Sequence, residues 1–556
     1  MKVRNRRLPL ALLALTGMVG AVTSCADDEP AALRAVEQTG VADKAPNDVV
    51  RTEYGPVRGK ADGNVRVFQG IPYAAPPVGG LRWTPPRPPS PWQTVRDATK
   101  PGPACPQNPG EIPSGSKNED CLNLNVTVPA GAPSKPRPVV VWVPGGGYYM
   151  GAGSNYGAQR MAAKGDVVVV SVNYRLGVFG FFGHPGLEGS GTYGLKDQQA
   201  ALSWVQRNIA GFGGDPRNVT FAGQSAGAIS GCAHLTSPSA KGLFGKAVLE
   251  SGACSHGWLE NFDYRKQPAG DILQPLAAVQ AHGRETAAGL GCTGDDQAVI
   301  ACLRGLPVDK LLPVLGKYIY PAYGTDVLPQ RPSDALRAGR YHHMPVLSGN
   351  TRDEATQSTA IYDDAGGGQR KPMTEQTFNA VMAETFGKDE AAVRAEYPRS
   401  SYDSAALAWS AIATDRKWAY TQYAMSRTLS RQVPVYQFEF ADPNPPALSP
   451  APPKMPMGAQ HASELWYLFD LGGMPPKLDA EQQRLADQMI GYWTGFAASG
   501  DPARDGGPAW PRFTTAGGRT PHVQSLAPGD GGIRPVDLAA EHHLAFWAKM
   551  AKPGRP

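Results

Sequence analysis

Short apolar runs, almost uninterrupted by polar residues, recur along the middle of the chain. They cover residues 138–144, 166–172 and 246–250. Runs of this kind are typical of strands that are buried on both faces of a parallel sheet. Between them, residues 197–209 have the apolar spacing of one helix face, with Ala200, Leu202, Val205 and Ile209 in the stripe. Strands that alternate with helices predict an α/β sheet with right-handed crossovers.

Weaker patterns extend this prediction in both directions. Residues 49–53, 55–59 and 65–68 indicate short strands, residues 123–128 and 344–348 two more, and residues 70–79 a proline-rich loop. Residues 261–341 and 363–432 have stronger helical periods, which predicts helical insertions. Residues 441–457 hold seven prolines and predict a long surface loop. No internal repeat is visible, so we expect one domain over residues 49–556.

The first residues have the pattern of an export signal. Lys2, Arg4, Arg6 and Arg7 precede an apolar run from Leu8 to Val22 that is too short and too interrupted for a confident membrane span. The ending Val22-Thr-Ser-Cys25 resembles a bacterial lipobox, which predicts a signal over residues 1–24, lipidation of Cys25 and a tether over residues 25–48. Cleavage by an ordinary signal peptidase is the alternative, and mass spectrometry of the mature N terminus distinguishes them. We expect a bacterial protein that is extracellular or anchored at the cell surface.

Composition narrows the classes of partner. The 556 residues are 41% hydrophobic and 19% charged, as in globular proteins. The formal charge is +5, but the four basic residues of the predicted signal have no acidic counterpart there, so the remainder carries only +1. A nearly neutral chain gives no electrostatic reason to expect nucleic acid or an anionic membrane as partner. We expect membrane contact only through the lipid, and the oligomeric state stays open.

Six cysteines besides Cys25 can form disulfides after export. Six cysteines allow 15 pairings. Local spacing favours Cys105 with Cys121 and Cys292 with Cys302, which leaves Cys232 with Cys254. Each such loop stabilises the fold by roughly 3 kcal/mol in the chain-entropy model. No C-x-x-C spacing or His/Cys cluster indicates a metal, and we expect no cofactor.

The strongest candidate for chemistry is Gly223-Gln-Ser-Ala-Gly227. This G-x-S-x-G pattern is the signature of a nucleophile elbow when a strand precedes it and a helix follows. Residues 218–222 have the pattern of a buried strand, and residues 226–234 are small enough to pack as a helix on a sheet. An ordinary glycine-rich turn is the alternative, but the flanking elements favour Ser225 as a nucleophile.

A serine hydroxyl needs a base, and the base needs an orienting group. In elbow folds the acid and then the histidine follow the serine along the chain. Asp353 and Glu354 stand just after the strand predicted near residue 346, and either can be the acid. His461, His522, His542 and His543 then remain as bases, of which His461 follows the long proline-rich loop.

The oxyanion formed during attack needs convergent N–H donors. Gly145-Gly146-Gly147 directly follows the apolar run that ends at Pro144, and Ala226 follows the nucleophile. Glycine triplets also occur in plain turns, so the triplet alone does not decide the matter.

Many further motifs resemble the type-B carboxylesterases, a family of α/β-hydrolases that includes the cholinesterases. The matching segments are residues 70–79, 81–83, 119–122, 173–180, 194–198, 212–216, 302–304, 353–354, 461, 493–502 and 510–511. The resemblance spans about residues 49–550. It implies the α/β-hydrolase fold, with a central, mostly parallel twisted sheet flanked by helices and with the helical insertions as a cap over the site.

The same resemblance assigns roles by position. It implies Ser225 as nucleophile, Glu354 rather than Asp353 as acid and His461 as base, with oxyanion donors at Gly146, Gly147 and Ala226; it also supports Cys105 with Cys121 and Cys292 with Cys302. Three positions depart from the family: Pro144 replaces a histidine, Gln224 a glutamate and Ala355 a glycine. Proline before the glycines stiffens the loop. Gln224 removes a charge, which argues against cationic choline esters, and Ala355 leaves the local backbone angle open.

The implied activity is hydrolysis of small or medium apolar carboxylic esters through an acyl-enzyme. Since the base must be a neutral imidazole, activity should decline below about pH 6 to 7. An amide or carbamate hydrolase with the same residues is the alternative. A non-catalytic binding protein of the same family is disfavoured because all three catalytic positions are filled. Tyr148, Tyr149 and Met150 either line an acyl pocket or only pack.

Overall fold

The computed structural model describes residues 48–366, 369–449, 453–503 and 507–551. The predicted signal, Cys25 and the predicted tether up to residue 47 lie outside these ranges. The described residues all belong to one compact unit, residues 46–556. None of their helices combines the length and apolar character that crossing a bilayer requires.

The strands of the described residues are numbered in chain order. They are β1 (Val49–Arg51), β2 (Pro56–Arg58), β3 (Lys60–Asp62), β4 (Val65–Pro72), β5 (Arg96–Asp97), β6 (Asn123–Pro129), β7 (Arg137–Val143), β8 (Tyr156–Gly157), β9 (Val168–Val172), β10 (Gly214–Gln224), β11 (Lys246–Glu250), β12 (Gly257–Trp258), β13 (Gly270–Asp271), β14 (Gln274–Pro275), β15 (Ala322–Tyr323), β16 (Val346–Thr351), β17 (Asp363–Gly366), β18 (Gln369–Lys371), β19 (Val435–Phe440), β20 (Asp470–Leu471), β21 (Val523–Leu526) and β22 (Arg534–Val536).

The α-helices are numbered in the same way. They are α1 (Gln159–Gly165), α2 (Gly177–Phe181), α3 (Tyr193–Asn208), α4 (Ala226–Thr236), α5 (Leu276–Gly289), α6 (Asp296–Gly305), α7 (Val308–Leu311), α8 (Pro332–Arg337), α9 (Thr356–Thr359), α10 (Glu375–Phe386), α11 (Glu390–Glu396), α12 (Ala405–Ala413), α13 (Tyr420–Leu429), α14 (Leu465–Leu468), α15 (Ala480–Ser499), α16 (Leu538–Glu541) and α17 (Leu544–Met550). A π-helical segment, Thr414–Ala419, joins α12 to α13.

One large sheet organises these elements. Its strand order is β22-β21-β19-β16-β11-β10-β7-β9-β6-β4-β3. The strands from β21 to β9 in this order pair in parallel, and the strands outside them pair antiparallel. The mostly parallel α/β sheet predicted from the apolar runs is confirmed.

The central strands are buried on both faces, which explains their uninterrupted apolar sequence. Val139, Val141 and Val143 of β7 pack in the hydrophobic cluster that also contains residues of α3 and α4. Val140 and Trp142 point to the other face, where the cluster contains residues of α15. Side chains that alternate along β7 therefore fill both helical layers.

Some elements differ from their predicted bounds. The loop predicted from residue 70 begins only after β4, which continues to Pro72, and the strand predicted from residue 344 starts at Val346. The segments predicted as helical also contain short strands such as β17 and β18. Residues 441–449 and 453–457 form no helix or strand, as the prolines predicted.

A buried charge cluster joins the π-helical segment to the sheet. His542 Nδ1 lies 2.5 Å from Asp415 Oδ1, and its Nε2 lies 2.5 Å from Glu439 Oε1 on β19. Burial opposes a charge on His542, but the two carboxylates hold its pKa well above the usual value. The imidazolium therefore holds residues 414–419 at a fixed position against the sheet.

Three disulfides hold loops around the sheet. They link Cys105 with Cys121, Cys232 with Cys254, and Cys292 with Cys302. Local spacing favours the first and third of these pairs and leaves the second.

Candidate active site

Ser225 stands at the sharp turn between β10 and α4. Its backbone angles are φ 55° and ψ −124°, a conformation that residues with a side chain rarely adopt. The flanking glycines make the turn possible: a Cβ on Gly223 would lie 2.6 Å from Gly227 C, and one on Gly227 would lie 2.1 Å from Val143 O. The sequence G-x-S-x-G is therefore required by backbone contacts on both sides of the serine.

A cavity of about 490 Å³ opens at this turn. Ser225 is half-buried, and its N–H donates to Glu250 O at 2.8 Å, which fixes the turn on the end of β11. The cavity is lined by Ser225 and by His461, Gly146, Gly147 and Ala226. The structure thus brings five of the six predicted catalytic and oxyanion residues to one space.

Glu354, the sixth, reaches the cavity through His461. Glu354 Oε2 lies 2.5 Å from His461 Nδ1, and Glu354 Oε1 accepts the N–H of Thr351 at 2.9 Å. The carboxylate is buried, with a relative exposure of 1%. A carboxylate bonded to Nδ1 orients the imidazole and leaves Nε2 as its proton acceptor.

Two further side chains contact the His461 ring, one at its face and one at its Nε2 edge. Trp418 packs against it at a tilt of 39°, with ring centroids 4.6 Å apart, and Gln224 Nε2 lies 3.3 Å from His461 Nε2. Ser225 Oγ makes no hydrogen bond to any residue that the structure describes. Contacts between nucleophile and base are often long without substrate and tighten in the complex.

The neighbouring acid, Asp353, has a different environment. Its Oδ2 accepts the N–H of Ala459 at 2.9 Å and pairs with Arg352, and it is not bonded to His461. Asp353 therefore holds the chain that leads into His461. Ala355, where a glycine was expected, has φ −85°, so the backbone there needs no glycine.

The glycine loop after β7 presents donors to the cavity. Gly146, Gly147 and Tyr148 have φ of 86°, 59° and 66°, and a Cβ on Gly146 would lie 2.3 Å from Met150 O. The N–H groups of Gly146 and Gly147 have no protein acceptor among the described residues. Ala226 is the first residue of α4, where a helix N–H has no partner within the helix. Three N–H groups are thus available to a bound oxyanion.

Comparison with known proteins identifies the family. The model of the carboxylesterase family matches residues 46–528. The chain belongs to the carboxylesterase family. Para-nitrobenzyl esterase of Bacillus subtilis (strain 168) is 34% identical over 485 residues, which are 84% of this chain and 93% of that protein. Carboxylesterase 5A of Felis catus is 33% identical over 550 residues, 92% of this chain and 96% of that protein.

Solved structures agree with this assignment. The structure of a thermophilic PNB esterase superposes with a TM-score of 0.73 at 29% identity, covering 90% of this chain and 100% of that one. The α/β-hydrolase fold implied by the sequence resemblance is therefore confirmed. As a member of the family, this carboxylesterase is a serine hydrolase that acts on ester bonds.

Two buried acids beneath the site of this carboxylesterase were missed by sequence reasoning. Glu250 ends β11 and accepts a hydrogen bond from Trp493 Nε1 at 2.7 Å, while Glu464 lies three residues after His461. Glu250 Oε2 and both carboxylate oxygens of Glu464 have no partner among the described residues. Burial raises the pKa of Glu250 to about 8. The pKa of Glu464 is raised well above its usual value, mainly by burial and to a smaller extent by repulsion from Glu250 and Glu354.

The raised pKa of Glu250 predicts a stability that falls as pH rises. Its ordinary value is 4.5 and its folded value about 8, so the folded protein binds more protons than the unfolded one between these pH values. The free energy of unfolding therefore decreases through this window. We expect the Tm to fall between pH 5 and pH 8, and to fall less steeply in Glu250→Gln, which keeps an acceptor for Trp493.

The exposed Glu260 supplies the control for this measurement. Glu260→Gln should keep the wild-type slope of Tm against pH. Equal slopes in wild type and Glu250→Gln would contradict a protonated Glu250.

The sequence contained a weak indication of the buried position of Glu250. Glu250 directly follows the apolar residues of β11 and lies in the protein interior, since that strand is buried from Ala247 to Glu250. Nothing in the sequence around residue 417 marked the π-helical segment that carries Lys417 and Trp418 into the cavity. No cluster of three or more potential metal ligands is found in the part of the chain that the structure describes.

Proposed function

We propose that Ser225 is the nucleophile of this carboxylesterase, His461 its base and Glu354 the group that orients the base. The observation that carries the proposal is the 2.5 Å contact between Glu354 Oε2 and His461 Nδ1, beside a serine in a strained turn of the same cavity. A serine hydroxyl becomes nucleophilic when a fixed imidazole accepts its proton.

In the proposed reaction, His461 Nε2 accepts the Ser225 proton as Oγ attacks the ester carbonyl carbon. The negative charge that forms on the carbonyl oxygen is stabilised by the N–H groups of Gly146, Gly147 and Ala226. His461 then protonates the departing alcohol, and an acyl-enzyme remains on Ser225. Water attacks this ester with His461 again as base, which releases the acid and restores the serine.

The proposed substrates are esters of small or medium size with an apolar portion. The cavity volume of about 490 Å³ lies in the range of small-molecule sites, and its lining includes Ile229, Ile272, Ile319 and Leu465. Gln224, uncharged beside Ser225, supplies no anion for a cationic choline group. The relative from Bacillus subtilis carries the name para-nitrobenzyl esterase, which supports an ester with an aromatic alcohol as a first test.

A matched pair of substrates tests ester hydrolysis against the alternative of amide hydrolysis. We expect turnover of 4-nitrophenyl esters from acetate to octanoate, with kcat/KM highest at one intermediate chain length. The corresponding 4-nitroanilides should react at least about 10³-fold more slowly, because the amine is a poorer leaving group. Comparable kcat/KM values for both series would favour the amidase, and no turnover of either would favour a binding protein.

A further inference from the structure

A charged pair lies in the wall of the cavity that holds Ser225. Lys417 Nζ and Asp263 Oδ2 are 2.6 Å apart, and both residues line the cavity. The Lys417 side chain is only 3% exposed and that of Asp263 is 19% exposed. The free energy of removing two charges from water commonly exceeds the free energy gained from their attraction, so the pair contributes little to the stability of the fold. Its position at the substrate cavity suggests a role in recognition.

The hydrogen bonds of the pair use one oxygen of the carboxylate and one donor of the ammonium. Asp263 Oδ2 accepts both from Lys417 and from Gln267 Nε2, the latter at 3.1 Å. The ammonium of Lys417 has three N–H donors, of which Asp263 takes one. A ligand at this end of the cavity therefore meets an ammonium with N–H donors to spare and a carboxylate that is already paired with that ammonium.

The aromatic surface that would attract a cation is already occupied. Lys417 Nζ lies 4.7 Å from the centroid of the Trp258 ring and 4.9 Å from that of Trp418. Indole faces are the preferred aromatic sites for ammonium groups. Because the protein's own ammonium covers both rings, a substrate ammonium finds neither an aromatic face nor a free carboxylate there.

The histidine next to this pair brings no charge to this end of the cavity. The His256 ring packs against that of Trp418 at a tilt of 46°, with centroids 4.3 Å apart. Burial, and then the positive charges of Lys417 and His461, lowers the pKa of His256 well below its usual value, so the ring is neutral. Glu111 lies elsewhere in the cavity, next to Gly151 of the glycine loop. Of the described lining residues, Lys417 is the only one with a permanent positive charge.

We propose that Lys417, with Asp263, Trp258 and Trp418, forms a subsite that selects esters bearing a carboxylate away from the scissile bond and disfavours esters bearing an ammonium there. The inference rests on the proposed hydrolysis at Ser225. It refines the substrate class to an ester whose apolar chain ends in an oxygen anion, such as a half-ester of a dicarboxylic acid.

Two sets of matched esters test the subsite, one with the charged group in the acyl chain and one with the charged group in the alcohol. In the first, 4-nitrophenol is esterified with hexanoic acid, with one carboxyl of adipic acid, or with 6-aminohexanoic acid. In the second, butyric acid is esterified with 1-hexanol, 6-hydroxyhexanoic acid or 6-aminohexan-1-ol. The readout is the ratio of kcat/KM for the carboxylate ester to that for the ammonium ester, which cancels any general loss of activity in a variant.

In at least one set we expect a wild-type ratio of about tenfold or more. Lys417→Met should bring the ratio below one, because Asp263 then lacks its partner and attracts the ammonium ester. The double variant Lys417→Met with Asp263→Asn leaves no unpaired buried charge, and its ratio should be near one. Lys310→Met removes an exposed lysine outside the cavity and should keep the wild-type ratio.

The outcomes separate this inference from the proposed function. A wild-type ratio near one in both sets, or a ratio that neither Lys417 variant changes, would overturn the subsite while hydrolysis of the hexanoate ester still supports Ser225 chemistry. A wild-type enzyme that hydrolyses none of the six esters would overturn both.

Discussion

Replacing Ser225 by alanine is expected to lower kcat for a 4-nitrophenyl ester by roughly 10⁶-fold, the cost found when the nucleophile of a serine hydrolase triad is removed. The variant keeps the glycine loop and the cavity but has no oxygen to form the acyl-enzyme. Steady-state hydrolysis of 4-nitrophenyl butyrate measures the effect, with the uncatalysed rate subtracted.

Folding should survive this substitution, which makes the loss interpretable. Ser225 Oγ bonds to no described residue, and an alanine adopts the same strained turn at a similar cost. The Tm should therefore stay close to that of the wild type. Ser499→Ala, at the exposed end of α15, is the matched serine control and should keep full activity. Wild-type turnover by Ser225→Ala would show that the nucleophile lies elsewhere.

Glu354→Gln is expected to lower kcat by roughly 10⁴-fold with little change in the fold. Glu354 Oε2 accepts from His461 Nδ1, and Oε1 accepts from the N–H of Thr351. With Oε1 of glutamine held by Thr351, its NH₂ group faces Nδ1 and favours the tautomer with the proton on Nε2. That tautomer cannot accept the serine proton. The kcat of the purified variant measures the effect.

Asp353→Asn is the matched control for this acid. Asp353 holds Ala459 and Arg352 rather than His461, so we expect the variant to lose stability more than turnover, with kcat within about tenfold of the wild type. The assignment of Glu354 would be wrong if Asp353→Asn lost as much turnover as Glu354→Gln.

The parts of this carboxylesterase that the sequence predicted are those specified by local pattern. The central strands β7, β9 and β11 are buried on both faces and carry few polar residues, so their apolar runs mark them directly. The elbow is marked by a short motif, although only the glycine at 223 is required by a contact within the turn and the glycine at 227 is required by a contact with β7.

Elements whose polar residues are satisfied only in the folded protein were missed. β19 reads Val-Tyr-Gln-Phe-Glu-Phe and is wholly buried, yet Glu439 in it is paired with His542, about one hundred residues later in the chain. The residue propensities and the hydrophobic periodicity of a strand contain no information about so distant a partner. The burial of Lys417 could not be predicted for the same reason. Its ammonium is stabilised by Asp263 and by the rings of Trp258 and Trp418, and two of these three residues lie far away in the sequence.

The site residues were predicted to different degrees. Ser225 follows from its motif, whereas Asp353 and Glu354 are adjacent acids between which the local sequence does not choose. The family resemblance chose Glu354, and the contact with His461 gives that choice a physical basis. The place of Gly145-Gly146-Gly147 after β7 made the triplet a candidate, because the carboxyl ends of parallel strands line the site in such sheets, and the family resemblance then chose Gly146 and Gly147.

The most direct test of the central claim, that His461 activates Ser225, is labelling with a fluorophosphonate probe followed by mass spectrometry of the labelled peptide. We predict one modified residue, Ser225, labelled rapidly in the wild type and at least about 10³-fold more slowly in His461→Ala. Modification of a different residue, or equal labelling rates for both proteins, would contradict the account.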